Sequence, residues 1–193
     1  EKIKEEKPDL SDREIERIVA GWSEAEVEVQ AVKYGLLQYQ DETHIPRVVE
    51  EILNNWESQS QSKEFNAILT VQFKNRVIAY YDEFKKQLAE RDENLNVAMT
   101  FSFGNENDPD NIPPESIEKM FKDYGEFTGI RFIPGDKKHG EDAYFEDVVD
   151  RATRGGSGRN PKNIDLLIVA AQLLTGYDSK RLNTLYVDRP LEL

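Results

Sequence analysis

Thr175, Gly176 and Asp178 are the residues of this 193-residue chain best suited, by type and spacing, to hold a small polar ligand. They lie in LLTGYDSKRLNTLYVDRP, residues 173–190, between one apolar run and the next. Gly176 lets the backbone turn and approach a ligand closely. Thr175 offers a hydroxyl, and Asp178 a carboxylate suited to the paired hydroxyls of a ribose. The same residues also fit a plainer description, a turn whose aspartate caps the next element. In an open parallel α/β sheet, ligands bind where loops leave the carboxyl ends of strands. IDLLIVAA, residues 164–171, runs straight into this stretch, so the loop is expected at such an edge.

Other candidate chemistry is thinner. Gly156 and Gly158 fill the first two places of G-x-G-x-x-G, but Pro161 takes the third, and the run precedes a strand instead of following one. No Gly-Lys-Ser/Thr occurs, so GGSGRNPKN reads as a basic loop beside Arg151 and Arg154. Asp136, Glu141 and Asp142 form an acidic cluster that a solvated loop explains as well as an acid–base pair does. The chain has no Cys, and its two histidines, His44 and His139, stand far apart. A disulfide framework, a metal centre and a Ser-His-Asp triad are therefore not expected.

The net charge of -13 argues against a protein that grips nucleic acid over its whole surface. Its distribution is uneven. Residues 1–60 carry 15 acids against 7 bases, whereas residues 151–189 carry 7 bases against 3 acids. On charge alone Arg154 and Arg159 become candidates for phosphate contact, and an ordinary solvated face accounts for them equally. No apolar run approaches the roughly 20 residues that span a bilayer, and no leader pattern opens the chain. A soluble, cytoplasmic protein with no membrane partner is expected. Both ends, EKIKEEKPDLSD and RPLEL, read as cuts through a longer polypeptide.

The elements that must position these residues follow from pattern. Residues 1–60 read as helices: SDREIERIVAGW has the capping-box pair Ser11 and Glu14, and IPRVVEEILNNW places Val48, Val49, Ile52, Leu53 and Trp56 on one stripe. SQSQSKEF, residues 58–65, is a polar linker. NAILTV (66–71), the helix KNRVIAYYDEFKKQLAER and NVAMTFSF (96–103) form a βαβ unit with parallel pairing. A loop over 104–114 leads to the helices ESIEKMFKDYGEF and EDAYFEDVVDRATR. IDLLIVAA has hardly a polar residue after Asp165, as a central strand covered on both faces should, and TLYVD (184–188) is the last strand. The fold class is an α/β sandwich.

LLTGYDSKRLNTLYVD closely resembles motif V of the DNA-translocating motor subunit of type I restriction enzymes, a superfamily 2 helicase-like family whose pattern runs near LLTGFDAPRLNTLYVD. Tyr177, Ser179 and Lys180 depart from it, all outside the Thr, Gly and Asp positions. AILTVQFKNRVIAYYDEF, residues 67–84, is similar to the same family's motif IV, and HIPRVVEEILNNW resembles the helices before it.

That resemblance implies a RecA-like fold, a three-layer α/β sandwich with a mostly parallel sheet. It places a helical connecting segment at 1–60 and the second motor domain at 61–193, truncated before motif VI. In the family two such domains clamp ATP with Mg²⁺ between them and move along double-stranded DNA, in a complex with modification and specificity subunits. Gly176 and Asp178 would then face the nucleotide, and Thr175 would lie on the DNA side or bridge the two. Thr70 and Gln72, at the exit of the first strand, and Ser102, at the exit of the next, would approach DNA phosphates, where hydroxyl and amide donors position without reading sequence. The chain has no Walker A lysine, no motif VI arginine and none of the family's nuclease residues, so no catalytic residue, bound cofactor or independent activity is expected of it. The competing reading is a non-catalytic α/β protein-interaction module that uses the acidic helical half as its contact surface.

Overall fold

The structure, a computed structural model, describes residues 11–21, 42–103, 112–153, 162–170 and 177–188. The chain divides into two compact units, one of Glu1–His44 with Pro190–Leu193 and one of Ile45–Arg189. The described part of the first unit is dominated by α1 (Asp12–Ala20). Its cap differs from the expected box: the Ser11 N–H and hydroxyl both donate to the Glu14 carboxylate, at 2.9 and 2.6 Å. Those two bonds hold the Glu14 pKa below its ordinary value.

The second unit contains α2 (His44–Ser60), β1 (Asn66–Val71), α3 (Lys74–Arg91), β2 (Val97–Phe101), α4 (Pro114–Thr128), α5 (Glu141–Thr153), β3 (Leu166–Ala170) and β4 (Leu182–Asp188). Among the described residues its four strands lie in the order β2-β3-β1-β4, and all three pairings are parallel. Helices cover both faces, giving the α/β RecA-like sandwich. β1 and β3 are buried along their whole length, which is why they read as unbroken apolar runs. β4 lies at the edge and alternates between half-buried and exposed residues.

One expected pairing is corrected. β1 and β2 are parallel but not neighbours, because β3 lies between them, pairing Ala67 with Leu166 on one side and Val97 with Leu166 on the other. A strand such as LLIVA, apolar at every position, is best placed where it has a partner on each edge and cover on each face.

Two local features position the loops. α2 buries Val49, Ile52, Leu53 and Trp56 in the same core as the sheet and continues to Ser60, into the stretch read as linker. It ends in a turn where Gln61, Ser62 and Lys63 have φ values of 48°, 59° and 67°, three successive non-glycine residues in the left-handed region. Left-handed backbone costs about 1–2 kcal/mol per such residue, so the turn persists only where its surroundings hold it. The second feature is Gly125 in α4, where a Cβ would stand 2.7 Å from the Ile130 carbonyl oxygen.

Candidate functional site

All four strands end at one edge of the sheet, with Val71, Phe101, Ala170 and Asp188. Just beyond it, Gln72 and Ser102 are exposed. They leave β1 and β2, two places apart in the sheet, which corresponds to roughly 10 Å of lateral spacing. A cleft of about 390 Å³ opens beside Ser102, lined also by Lys74, Lys137, Asp136, Glu141 and Asp142. Its acids have structural work: an Asp136 oxygen accepts the Lys138 and His139 N–H groups at 2.9 and 2.8 Å, and Glu141 accepts the Gly135 N–H at 3.0 Å. The two backbone bonds hold the Asp136 pKa below the usual range. Asp136 and Glu141 thus cap the loop ahead of α5 and are not arranged as an acid–base pair.

Thr70 is placed differently from the expectation. It is the fifth residue of β1, paired with Val169 and Val187, 1% exposed, and its hydroxyl is buried without a hydrogen-bond partner. The strand runs one residue further, so the exit position belongs to Gln72.

Asp178 is exposed and does not stand at the carboxyl edge. Leu182, four residues on, is level with Asn66, the first residue of β1. Both β1 and β4 begin at the amino edge of the sheet, and Asp178, shortly before β4, belongs to that edge. Six residues of β1 separate the two edges, roughly 20 Å. The structure therefore brings Gln72 and Ser102 to one edge and Asp178 to the other. Thr175, Gly176, Arg154 and Arg159 lie outside the described residues.

Around Asp178 the structure gathers residues that the sequence reading passed over. Arg181, 4% exposed, donates from Nε to the Glu64 carbonyl at 3.4 Å and from Nη2 to the Lys63 carbonyl at 3.3 Å. Its own carbonyl accepts the Asn66 N–H at 2.9 Å, and its N–H donates to Ser179 Oγ at 3.2 Å. Burial pushes the Tyr177 phenol above its ordinary pKa, opposed by Ser179, Arg181 and Asn66. Burial likewise raises the Asp165 carboxyl, opposed by the Asn96 N–H and by the charges of Lys63 and Arg181. Arg181 is visible in the sequence as a base inside the motif, but nothing in its neighbours there distinguishes a buried arginine from a solvated one.

Among the described residues no group of three or more His, Asp or Glu could hold a metal ion. No described helix is long and apolar enough to cross a membrane.

Residues 63–193 match the family described as type I restriction enzyme subunit R domain 3. The chain belongs to that family. As an R domain 3 chain it is similar to the endonuclease subunit of a type I restriction enzyme of Staphylococcus aureus strain MRSA252, with 34% identity over 149 residues, 75% of this chain and 15% of the relative. A corresponding subunit from Staphylococcus saprophyticus is 29% identical over 151 residues, again 75% of this chain and 16% of the relative. The R domain 3 chain thus spans less than a fifth of the length of these curated relatives. Both stretches that resembled motifs IV and V fall inside the matched residues.

Proposed function

We propose that this R domain 3 chain serves a type I restriction endonuclease subunit by supplying one wall of an ATP cleft and backbone contacts to double-stranded DNA. The observation that carries the reading is the exposed, uncharged pair Gln72 and Ser102 at the carboxyl edge of an all-parallel sheet, within residues that match the family. The Gln72 amide and the Ser102 hydroxyl donate to phosphate oxygens, while the cleft beside Ser102 sets Lys74 and Lys137 against Asp136, Glu141 and Asp142 and adds no net positive charge. Such contacts carry no sequence information, which suits a protein that moves along DNA.

Asp178, exposed on the opposite edge, faces the nucleotide in this reading, where its carboxylate fits a ribose hydroxyl pair, and Gly176 is the second nucleotide contact. Thr175 lies towards DNA, and Arg154 and Arg159 add phosphate contacts. ATP supplies the phosphoryl group whose hydrolysis drives movement. In this reading the Mg²⁺-binding acid is supplied by the subunit's first motor domain. The modification and specificity subunits are the assembly partners of this reading, in the cytoplasm.

DNA-stimulated ATPase of the full-length protein tests the reading. Asp178→Ala is expected to lower turnover or raise the KM for ATP, and Gln72→Ala with Ser102→Ala to weaken salt-sensitive DNA binding. Unchanged ATPase and unchanged DNA affinity in folded variants would overturn it.

A further inference from the structure

The loop that carries Asp178 is seated on a strained turn. Arg181 sends two guanidinium bonds to the successive carbonyls of Lys63 and Glu64, the close of the turn in which Gln61, Ser62 and Lys63 are left-handed. The turn has further local ties, from the Ser62 N–H to the Glu57 carbonyl, the Lys63 N–H to Ser60 Oγ and the Phe65 N–H to the Ser60 carbonyl. Conformations of this kind persist where surrounding contacts over-determine them, and they concentrate at functional loops.

The contacts run in both directions. The Arg181 carbonyl accepts the Asn66 N–H, while its own N–H closes the Asp178–Arg181 stretch on Ser179 Oγ. Asn183 donates to the Gln59 carbonyl at 2.8 Å and Tyr186 bonds the Gln59 side chain, so β4 also holds the end of α2. Of the remaining polar groups of the seat, Asn66 Oδ1 and Arg181 Nη1 are buried without hydrogen-bond partners, and the buried Tyr177 hydroxyl faces Ser179 and Asn66, with no bond to the turn itself. Among the described residues, the side-chain hold between the Tyr177–Arg181 loop and the turn therefore rests on the two Arg181 bonds.

We propose that Arg181 is a positioning residue that fixes Asp178 by clamping its loop to the left-handed turn between α2 and β1. An arginine is required because its planar fork spans two adjacent carbonyls, which a lysine ammonium reaches one at a time. Asp178 itself is exposed, so its place in space is set through Arg181 three residues away. The link to nucleotide rests on the proposed function above, whereas the clamp stands on its own geometry.

The test uses the full-length protein with Arg181→Met, Arg181→Lys, Asp178→Ala and, as a structural control, Asn183→Ala, which cuts a neighbouring tie between β4 and α2. Amide hydrogen exchange over residues 177–182 and the KM and kcat of ATP hydrolysis are read together. Arg181→Met is expected to speed exchange in this loop about ten-fold. It is also expected to raise KM by about five-fold with kcat within about two-fold. Arg181→Lys should show a smaller effect in the same direction, and this variant decides the matter should the Met form fail to fold. Asn183→Ala should change neither reading. Loop exchange that stays at the wild-type rate in both Arg181 variants, or that rises equally in Asn183→Ala, overturns the clamp. Faster exchange with KM unchanged in both Arg181→Met and Asp178→Ala upholds the clamp and removes the nucleotide role of Asp178.

Discussion

The Tyr80 hydroxyl donates to the Asp188 carboxylate at 2.5 Å, joining the second turn of α3 to the last residue of β4. Arg76, one turn earlier on α3, reaches the same oxygen at 3.1 Å. Asp188 is 6% exposed, so its charge is stabilised by these neighbours instead of by bulk water. Tyr80→Phe is expected to destabilise the fold by about 1.5–3 kcal/mol, the range for a hydrogen bond to a charged group. Urea unfolding of the variant against the wild type checks it, and a change under about 0.5 kcal/mol would show that Asp188 is held well enough without the Tyr80 hydroxyl.

Alkali should weaken the protein before acid chemistry of these groups matters. Burial is the first cause that pushes Tyr80, Tyr81, Tyr124 and Tyr144 above the ordinary phenol value of 10.0. The folded state then keeps protons that the unfolded chain releases, so this stability is complete below about pH 10 and is lost as the pH rises above it. Thermal midpoints followed from neutral pH upward should fall beyond that point, with the tyrosinate absorbance of these four rings appearing together with unfolding. Ionisation of more than the chain's four other tyrosines while the fold is intact would contradict the burial of these rings.

Thr70 and Gln72 should separate cleanly. Thr70→Val removes a buried hydroxyl that has no partner and is expected to leave stability unchanged or raise it by about 1 kcal/mol. DNA affinity of the full-length protein should be unchanged, because the side chain is enclosed. Gln72→Ala should do the reverse, with little effect on stability and weaker DNA binding whose salt slope is unchanged, because the lost contact is uncharged. A loss of DNA binding in Thr70→Val would reverse this assignment.

Gly125 is a steric requirement. Its φ is helical in kind, but the Ile130 carbonyl approaches too closely for a side chain. Gly125→Ala should cost about 1–3 kcal/mol although alanine favours helices, because the loop after α4 must shift. Calorimetric midpoints measure it, and a stabilised variant would show that the loop yields freely.

Much of the architecture was legible because it is local. Residues 66–71 and 74–91 alternate from an apolar β-branched run to an amphipathic one with a sharp break between, and both elements appear with those bounds. The helix α2 overran its expected end because Ser58 bonds the Asn55 carbonyl within the helix, which lets a serine-rich stretch stay helical. Strand order was not legible, since which neighbour β1 takes depends on β3, far along the chain. The position of Asp178 failed for a related reason. A loop that leaves a strand starts at that strand's carboxyl edge, but with a parallel successor only eleven intervening residues away its last residues stand at the opposite edge. The seat under Arg181 is built from carbonyls of residues 63 and 64, and no side-chain pattern advertises a carbonyl's direction.

The insertion of β3 between β1 and β2 has a consequence for how the molecule forms. Leu166 meets Ala67, 99 residues earlier, and also Val97. Among the described strands neither β1 nor β2 has a sheet neighbour until β3 arrives, so both emerge during synthesis with open edges. Sheets closed by such distant pairings assemble slowly and expose aggregation-prone edges while they wait. For this chain the moment of commitment is the emergence of LLIVA, and everything made before it must be kept apart until then.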